Sequence, residues 1–406
     1  MEADSKNNKA LCILNFSGRY GGAEKRYATL FNRLMKEGRD YYLLINRGLY
    51  QLFVDNTLLR QHERILIFED GTKVSNHHEE EKGRQIEKEI SANIHKSAVR
   101  LFLGRWKYFF FTLFLWLRFS RFFARQAHQF RITKLYGVWQ GGIWTWMWCK
   151  RMKIHLVYGV NASDKLMIYK NITRFFDSQY WVLQNADFLD FLSPSLVDDY
   201  RRVMGGRVKG KVLKTPNSFI DFTNYYSVEP KKPWVVFLGR LEPLKNPMLF
   251  IEAINQLVKA DRFRDLQFFI MGDGHLLFRL REYASEQHLA NVVFTGLHPR
   301  PWEILQQSSV FVSLQTSENY PSQSLMEAMA CENGVVVTDV GDTRKLVTAR
   351  EGLLVQHDYQ QVASAIARLL DNPLLRKQLG ENARQKVLEK QTLERFVKWF
   401  EGVMNS

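Results

Sequence analysis

The sequence predicts an α/β protein of two Rossmann-like domains facing each other across a cleft. Short apolar runs alternate with stretches of helical period along almost the whole chain. Such alternation marks parallel strands joined by right-handed crossovers, with helices on both faces of each sheet. The pattern breaks near 217–233, where Pro, Asn and Ser cluster around Glu229-Pro230-Lys231-Lys232-Pro233. At 406 residues the chain is long enough for two or three sizeable cores. Residues 1–218 are read as an N-terminal domain and 219–390 as a C-terminal one. Residues 391–406 form a final helix placed to pack back on the first domain.

Within the first domain, 10–16, 41–45, 65–68, 132–138, 154–160 and 188–192 read as strands, and 23–36 as a helix. Residues 72–96 are polar and read as a solvated loop running into a helix. The His77-His78-Glu79-Glu80-Glu81 run could bind metal, but a solvated face is the plainer reading. In the second domain, 234–238 is a strand, and Asn246-Pro247 caps a helix to 259 with Pro at its first position. Strand 266–271 ends at Gly272-Asp273-Gly274. Strands at 292–295 and 310–314 precede a helix from 325, and strands at 334–338 and 352–355 precede the closing helices. No repeat of solenoid period is present.

The charge is uneven. Lys and Arg number 57 against 42 Asp and Glu, and between 90 and 163 there are twelve cations and no acid. A localised basic surface calls for an anionic partner, a nucleic acid or a membrane. Cys12, Cys149 and Cys331 are too few and too scattered for a disulfide framework or zinc spacing, which suggests a reducing compartment. The first nine residues are polar, without the apolar core of a signal peptide. The longest uncharged run in the aromatic segment, 108–117, is far short of the roughly 20 residues that span a bilayer. A cytoplasmic protein, peripheral on the inner face of the plasma membrane, is expected.

Two motifs carry most of the chemistry. Gly239-Arg240-Leu241-Glu242-Pro243-Leu244-Lys245-Asn246 follows a strand at the edge where open α/β sheets bind ligands. A forked guanidinium and a point-charge ammonium there suit a diphosphate, although two surface cations on a solvated loop would look the same. Ser317-Glu318-Asn319-Tyr320-Pro321-Ser322-Gln323-Ser324-Leu325-Met326-Glu327 places two acids around a turn that opens an apolar helix. Its amides from Ser322 to Leu325 can meet phosphates, Glu327 ribose hydroxyls, and Glu318 the sugar. Alternatively, Ser324 and Glu327 form a capping box and Glu318 is an ordinary loop acid. The combined set is what a nucleotide-sugar requires.

Three further segments are weaker signals. Tyr20-Gly21-Gly22-Ala23-Glu24 could let a ligand approach the first strand edge, or could be a tight turn; it does not match G-x-G-x-x-G. Residues 99–130 hold twelve aromatic residues. On a helix, Arg100, Lys107, Arg118, Arg121 and Arg125 share one narrow arc. That arrangement suits cations at lipid phosphates with Phe109, Phe110, Leu113 and Trp116 inserted. A core helix with one wet stripe is the rival reading. The Trp cluster at 139–148 could stack on a sugar or line a wall, and more commonly is core. Cys149 reads as inert packing.

These residues resemble family 4 of the retaining glycosyltransferases, a group with the two-domain GT-B fold. The resemblance is carried by Gly21-Gly22-Ala23-Glu24, Ser193-Pro194-Ser195, Pro216-Asn217-Ser218, Phe237-Leu238-Gly239-Arg240-Leu241, Lys245-Asn246-Pro247, Met271-Gly272-Asp273-Gly274, Val292-Val293-Phe294-Thr295-Gly296 and Leu325-Met326-Glu327-Ala328-Met329-Ala330-Cys331. It implies a nucleoside-diphosphate sugar donor, no metal and no other cofactor, and retention at the anomeric carbon. By that likeness Arg240, Lys245 and Glu318 act in catalysis. Gly22, Gly239, Arg240, Lys245, Gly272, Asn319, Tyr320, Ser322, Ser324 and Glu327 hold the donor, Glu327 at its ribose. The chain departs from the pattern in three places. Eight residues rather than seven separate Glu318 from Glu327, so Asn319 or Tyr320 could stand in for Glu318. Glu332-Asn333 follows Cys331 where Gly is usual, and Trp139-Gln140 occupies a region where many members carry His.

The function expected is transfer of a sugar to a membrane-presented glycan or lipid-linked saccharide, as in lipopolysaccharide or capsule synthesis. Asp187-Phe188-Leu189-Asp190 reads as a strand edge rather than a metal motif. A nucleotide-sugar epimerase of the same fold is one rival and would need no aromatic segment. A nucleic-acid-binding protein is the other, motivated by the net charge of +15. Basic residues interleaved with large apolar ones fit a lipid surface better, so no nucleic-acid partner is expected.

Overall fold

The structure is a computed structural model that describes residues 8–16, 21–71, 98–161, 178–204, 209–216, 218–259, 263, 266–317 and 320–406, with the side chains of 98–110, 178 and 203 excepted. The described residues form two compact units. One runs to Thr215 and also takes in Val397–Ser406; the other is Pro216–Phe396.

The first unit contains β1 (Asn8–Leu14), α1 (Gly22–Lys36), β2 (Tyr41–Asn46), α2 (Arg47–Asp55), β3 (Ile65–Phe68), α3 (Ala98–Gln129) and β4 (Ile132–Trp139). It continues with α4 (Gln140–Ile143), α5 (Trp146–Met152), β5 (His155–Val160), α6 (Ser178–Asn185), β6 (Phe188–Phe191), α7 (Pro194–Met204) and β7 (Lys211–Val212). Its seven strands are all parallel, in the order β3-β2-β1-β4-β5-β6-β7. Ala10 to Leu14 are wholly buried, because a parallel sheet is covered on both faces.

In the second unit are β8 (Lys232–Leu238), α8 (Pro247–Val258), β9 (Gln267–Met271), α9 (Leu277–Glu286), β10 (Val292–Gly296), α10 (Trp302–Leu305), β11 (Ser308–Ser313) and α11 (Gln323–Ala330). Then follow β12 (Gly334–Thr338), α12 (Thr343–Leu346), β13 (Gly352–Val355), α13 (Tyr359–Asp371), α14 (Pro373–Lys390) and α15 (Leu393–Asn405). The sheet order is β10-β9-β8-β11-β12-β13, again all parallel. Strand order therefore reverses between β1 and β4 in one unit and between β8 and β11 in the other. The gap outside the carboxyl ends of such a strand pair is where open α/β sheets take ligands.

Two boundaries differ from the sequence reading for identifiable reasons. β8 begins at Lys232, before the expected 234, and takes in Pro233. The pairing of β8 with β11 shifts register between Ser308 and Val310, opposite this point, and such an irregularity tolerates a residue without an N–H. α11 begins at Gln323, two residues early, with Ser322 as its N-cap. The second half of α15 packs in the first unit, with the Phe400 ring 5.7 Å from Tyr41 and 5.3 Å from Tyr136. Lys134 Nζ donates to the Val403 carbonyl there at 2.7 Å.

Candidate functional site

The loop after β8 is fixed by glycines of the loop after β9. Gly239 N donates to Met271 O at 3.0 Å, and Leu241 N to Asp273 O at 2.9 Å. Gly272 has φ +133°, and a Cβ there would lie 1.9 Å from the Gly239 carbonyl. Only glycine permits that approach. Arg240 projects from this loop, half-exposed, with Nη1 3.1 Å from Glu242 Oε2. A single 3-10 turn, Pro243–Lys245, leads to Asn246 in the left-handed region at φ 53°. Pro247 is the first residue of α8 as expected. Asn246, however, makes no side-chain cap, because its left-handed backbone turns the side chain away from the first amides.

Lys245 crosses the point of strand-order reversal. Its Nζ donates to Gln315 Oε1 at 3.3 Å, and Thr316 N donates to Leu244 O at 3.0 Å. The loops after β8 and β11 are thus joined by side chain and by backbone. Burial, with the Arg240 charge second, pushes the Lys245 ammonium down to about 7. A pocket beside this junction is lined by residues including Ser313, Gln315, Tyr320, Ser322 and Thr338. Ser322 is buried and its hydroxyl lies 3.4 Å from that of Ser324. Gln315, which accepts from Lys245, and Ser322 at the amino end of α11 therefore line the same pocket. A cation and a row of unsatisfied amides can together hold a multiply charged anion.

The capping-box reading of Ser324 and Glu327 does not survive. With Ser322 as N-cap, Ser324 is the second and Glu327 the fifth helical residue, too far along to reach back to the cap. Glu327 is buried instead, and Tyr225 is hydrogen-bonded to it. Burial, and then the Glu327 charge, hold the Tyr225 phenol well above its usual range. Glu318 and Asn319 lie outside the described residues. Tyr320 is half-buried against the core beneath α11. In the first unit, Gly22 is the first residue of α1. Glu24 anchors the loop before it, accepting from Gly21 N and Asn15 Nδ2, each at 2.8 Å. Asn15 N donates to Asn46 Oδ1 and Asn46 Nδ2 to Asp70 Oδ2, so the network spans the carboxyl ends of β1, β2 and β3.

Several residues of the site gave no local signal in the sequence. Gln315 is one. The carboxyl end of α11 is another: Lys231 Nζ donates to Cys331 O at 2.6 Å, and Arg384 Nη1 donates to Ala330 O. Cations at a helix C-terminus complement its dipole. Glu332 stands where the resemblance leads one to expect Gly, and it keeps the left-handed backbone of a helix stop, at φ 58°. These partners come from distant segments, so no spacing rule could reveal them.

The aromatic helix α3 divides the two readings made of it. Leu115, Phe119, Phe123 and Ala127 are buried in the first unit's core, so one face is structural. Trp116 packs against that core too, which corrects its assignment as an inserted residue. Phe111, Phe114 and Leu117 are instead 59%, 60% and 44% exposed, and Leu113 is 38% exposed. Phe114 and Leu117 fall on the same exposed arc as Arg118, Arg121 and Arg125. Arg118 Nη2 donates to Glu69 O at 2.9 Å. The side chains of Arg100, Lys107, Phe109 and Phe110 lie outside the described set, as does the His77-His78 run. Among the described residues no helix is long and apolar enough to cross a membrane.

The remaining candidates pack. Trp144 stacks on Phe16 at 5.0 Å, and Trp146 and Trp148 lie against the core. Cys149 is buried, its thiol pushed up by burial. Asp187 Oδ2 accepts from Leu156 N at 2.8 Å and Asp190 Oδ2 from the Tyr136 hydroxyl, both tying strands of the sheet. Among the described residues no cluster of three or more His, Cys, Asp or Glu could hold a metal ion.

With this geometry in place, comparison with known proteins adds the following. The model of the family described as glycosyl transferases group 1 matches residues 224–386. Poly(ribitol-phosphate) alpha-N-acetylglucosaminyltransferase of Staphylococcus aureus (strain COL) is 25% identical over 253 residues, 61% of this chain and 50% of that protein. UDP-Gal:alpha-D-GlcNAc-diphosphoundecaprenol alpha-1,3-galactosyltransferase of Escherichia coli is 28% identical over 187 residues, 45% and 44% of the two chains. The chain spans about half the length, or less, of these curated relatives. Among solved structures, Anabaena Alr3699/HepE in complex with UDP and glucose superposes with a TM-score of 0.71 at 16% identity, over 98% of this chain and 100% of that one. Sucrose-phosphate synthase from Thermosynechococcus elongatus gives 0.72 at 16% identity, over 98% of each. The fold is GT-B, and the stretch that carries Arg240, Lys245, Gln315 and Glu327 is similar to glycosyl transferases group 1.

Proposed function

We propose that this protein is a retaining glycosyltransferase that moves a sugar from a nucleoside-diphosphate sugar to an acceptor presented at a membrane surface. The observation that carries the reading is the Lys245–Gln315 junction: Gln315 accepts from the cation and shares a pocket with Ser322, the N-cap of α11. Relatives named for transfer to poly(ribitol-phosphate) and to diphosphoundecaprenol-linked sugar support a polymer or lipid-linked acceptor. The UDP bound in the Anabaena structure supports a nucleoside-diphosphate donor.

In this reading Arg240 and Lys245 bind the diphosphate, together with amides from Ser322 to Leu325 and the Ser322 and Ser324 hydroxyls. Gly239 and Gly272 let the backbone approach it. Glu327 takes the ribose. Glu318, or Asn319 or Tyr320 in its place, takes the donor sugar. The bond from the anomeric carbon to the diphosphate oxygen breaks as the acceptor hydroxyl oxygen attacks from the same face, and the hydroxyl proton passes to the departing diphosphate. Charge leaving on the diphosphate is balanced by the two cations and the helix amides, so the reaction needs no metal.

The exposed arc of α3 supplies the membrane contact on the inner face of the plasma membrane. Phe111, Phe114 and Leu117 enter among acyl chains, and Arg118, Arg121 and Arg125 meet anionic headgroups. Each cation near such a surface contributes about 1 kcal/mol. The reading is tested by screening nucleotide-sugars for nucleotide release, with and without a membrane extract, in excess EDTA. Release that requires the extract, and a product whose anomeric proton shows retention by NMR, is expected. Activity lost in EDTA and restored by Mn²⁺, or a free isomer without acceptor, would overturn it.

A further inference from the structure

We infer that Gln315 is the positioning residue of the anion site, aiming the Lys245 ammonium across the gap between β8 and β11 without neutralising it. The inference rests on the donor-site reading above. Gln315 is buried and is the hub of four polar contacts. Its Oε1 accepts from Lys245 Nζ at 3.3 Å and its Nε2 donates to Ser313 Oγ at 3.3 Å. Its carbonyl accepts from Thr338 Oγ1 at 2.8 Å and lies 2.7 Å from His357 Nε2. Thr338 ends β12 and His357 follows β13, so the loop after β11 is held by the next two strands of the sheet. The Lys245 ammonium, a donor only, sets the amide oxygen towards itself, which leaves Nε2 to donate to the Ser313 hydroxyl.

The amide has a specific chemical consequence. An ammonium has three donors, and Gln315 takes one, leaving the others for a ligand. The charged groups facing Lys245 are Arg240 and Glu242, both on its own loop. From the β11 side the facing group is the neutral amide, with His357 behind it at the carbonyl. A carboxylate at 315 would keep Lys245 charged but compete with the diphosphate. An apolar side chain would leave the ammonium form without its acceptor. A neutral acceptor directs the cation and still leaves its charge to the incoming anion.

The test is calorimetry of UDP binding from pH 6 to pH 9, for the parent, Q315L and Q315E, each also in a K245M background. In the parent, affinity falls as pH rises through the Lys245 titration. Q315L should move that fall about one pH unit lower and weaken binding at pH 7.5 about tenfold. Q315E, nearly isosteric, should weaken binding and move the fall about one unit higher. In the K245M background Q315L should not alter the affinity by more than about twofold, whereas Q315E, now an unpaired acid, should still weaken it. Equal losses for Q315L in both backgrounds, or an unmoved pH profile in both Q315L and Q315E, would overturn the assignment. If K245M itself binds UDP as the parent does, the donor-site reading fails first and this inference with it.

Discussion

The Tyr225 phenol and the Glu327 carboxylate are hydrogen-bonded to each other inside the second unit, both almost fully buried. Tyr225 precedes the whole second sheet and Glu327 lies in α11 beyond four of its strands. The pair therefore fastens the segment that leads into the sheet to the helix whose amino end faces the proposed anion site. Tyr225→Phe should cost about 1–3 kcal/mol, because it removes the donor to a buried carboxylate. Urea denaturation measures the loss. Glu327→Gln should weaken nucleotide binding at least tenfold in calorimetry, whereas Tyr225→Phe should leave it within a few-fold. If Glu327→Gln lowers only the unfolding midpoint, the pair is structural and the ribose assignment is wrong.

Lys245 should make both binding and stability depend on pH, with opposite signs. Burial holds the folded amine at about 7, below the ordinary 10.5, so between these values the unfolded chain binds more protons than the folded one. Stability of the free protein should then rise with pH across that window. Binding of a nucleoside diphosphate needs the ammonium, and should weaken as pH rises above about 7. Lys245→Ala should cost about 1.5–3 kcal/mol of binding below that pH and should flatten the slope of stability with pH. Thermal melts and titrations at pH 6, 7, 8 and 9 check both signs. A Lys245→Ala protein with the parent's slope would show that the amine titrates elsewhere.

Gly272 and Gly296 give a contrast between backbone strain and backbone collision. Both have positive φ, but a Cβ at 272 would meet the Gly239 carbonyl at 1.9 Å, while one at 296 meets nothing within 4 Å. Gly296→Ala should cost about 1–2 kcal/mol, the penalty of the left-handed region. Gly272→Ala should cost clearly more and should displace the Gly239–Arg240 backbone. Unfolding midpoints rank the two, and nucleotide binding should fall in the 272 variant alone. Equal costs would mean that the loops after β8 and β9 are not locked together.

The exposed arc of α3 predicts two separable losses at a membrane. Replacing Arg118, Arg121 and Arg125 by Gln should release the protein from anionic vesicles by about 1 kcal/mol for each cation, and most at low salt. Replacing Phe111 and Phe114 by Ser should weaken binding at any salt concentration. Neither set should lower stability appreciably, because these side chains are exposed, whereas Phe119→Ala should cost about 3–5 kcal/mol as a core truncation. Vesicle flotation and melting curves separate the three cases. Equal recovery of the parent on neutral and anionic vesicles would remove the membrane reading.

Much of the molecule was legible in the residues taken alone. The strand runs were, because a parallel sheet buried on both faces must be written as uninterrupted apolar stretches such as Val235-Val236-Phe237. So was the strand-edge position of Arg240 and Lys245, because strand, glycine, cation and Pro-led helix follow one another in sequence. The local pattern misled where two local rules compete. Ser324-x-x-Glu327 satisfies a capping box, but the chain enters the helix at Ser322, and Glu327 goes to Tyr225. In α3 the aromatic rings gave no hint of which would be core, since Trp116 and Phe114 are equally apolar and only the sheet beneath tells them apart.

The sequence by itself determined the two-unit α/β pattern, the glycines at 239 and 272, and the cations and helix start that make an anion site conceivable. Tertiary structure decided which of these groups meet. Lys245 finds Gln315 across 70 residues, Tyr225 finds Glu327, and Lys231 and Arg384 converge on the end of α11 from opposite ends of the second unit. The physical reason is that helix and strand periods and turn preferences act over a few residues. A buried polar group instead takes whichever partner the packed sheet brings within about 3 Å, and that choice is made only when the strands are in order.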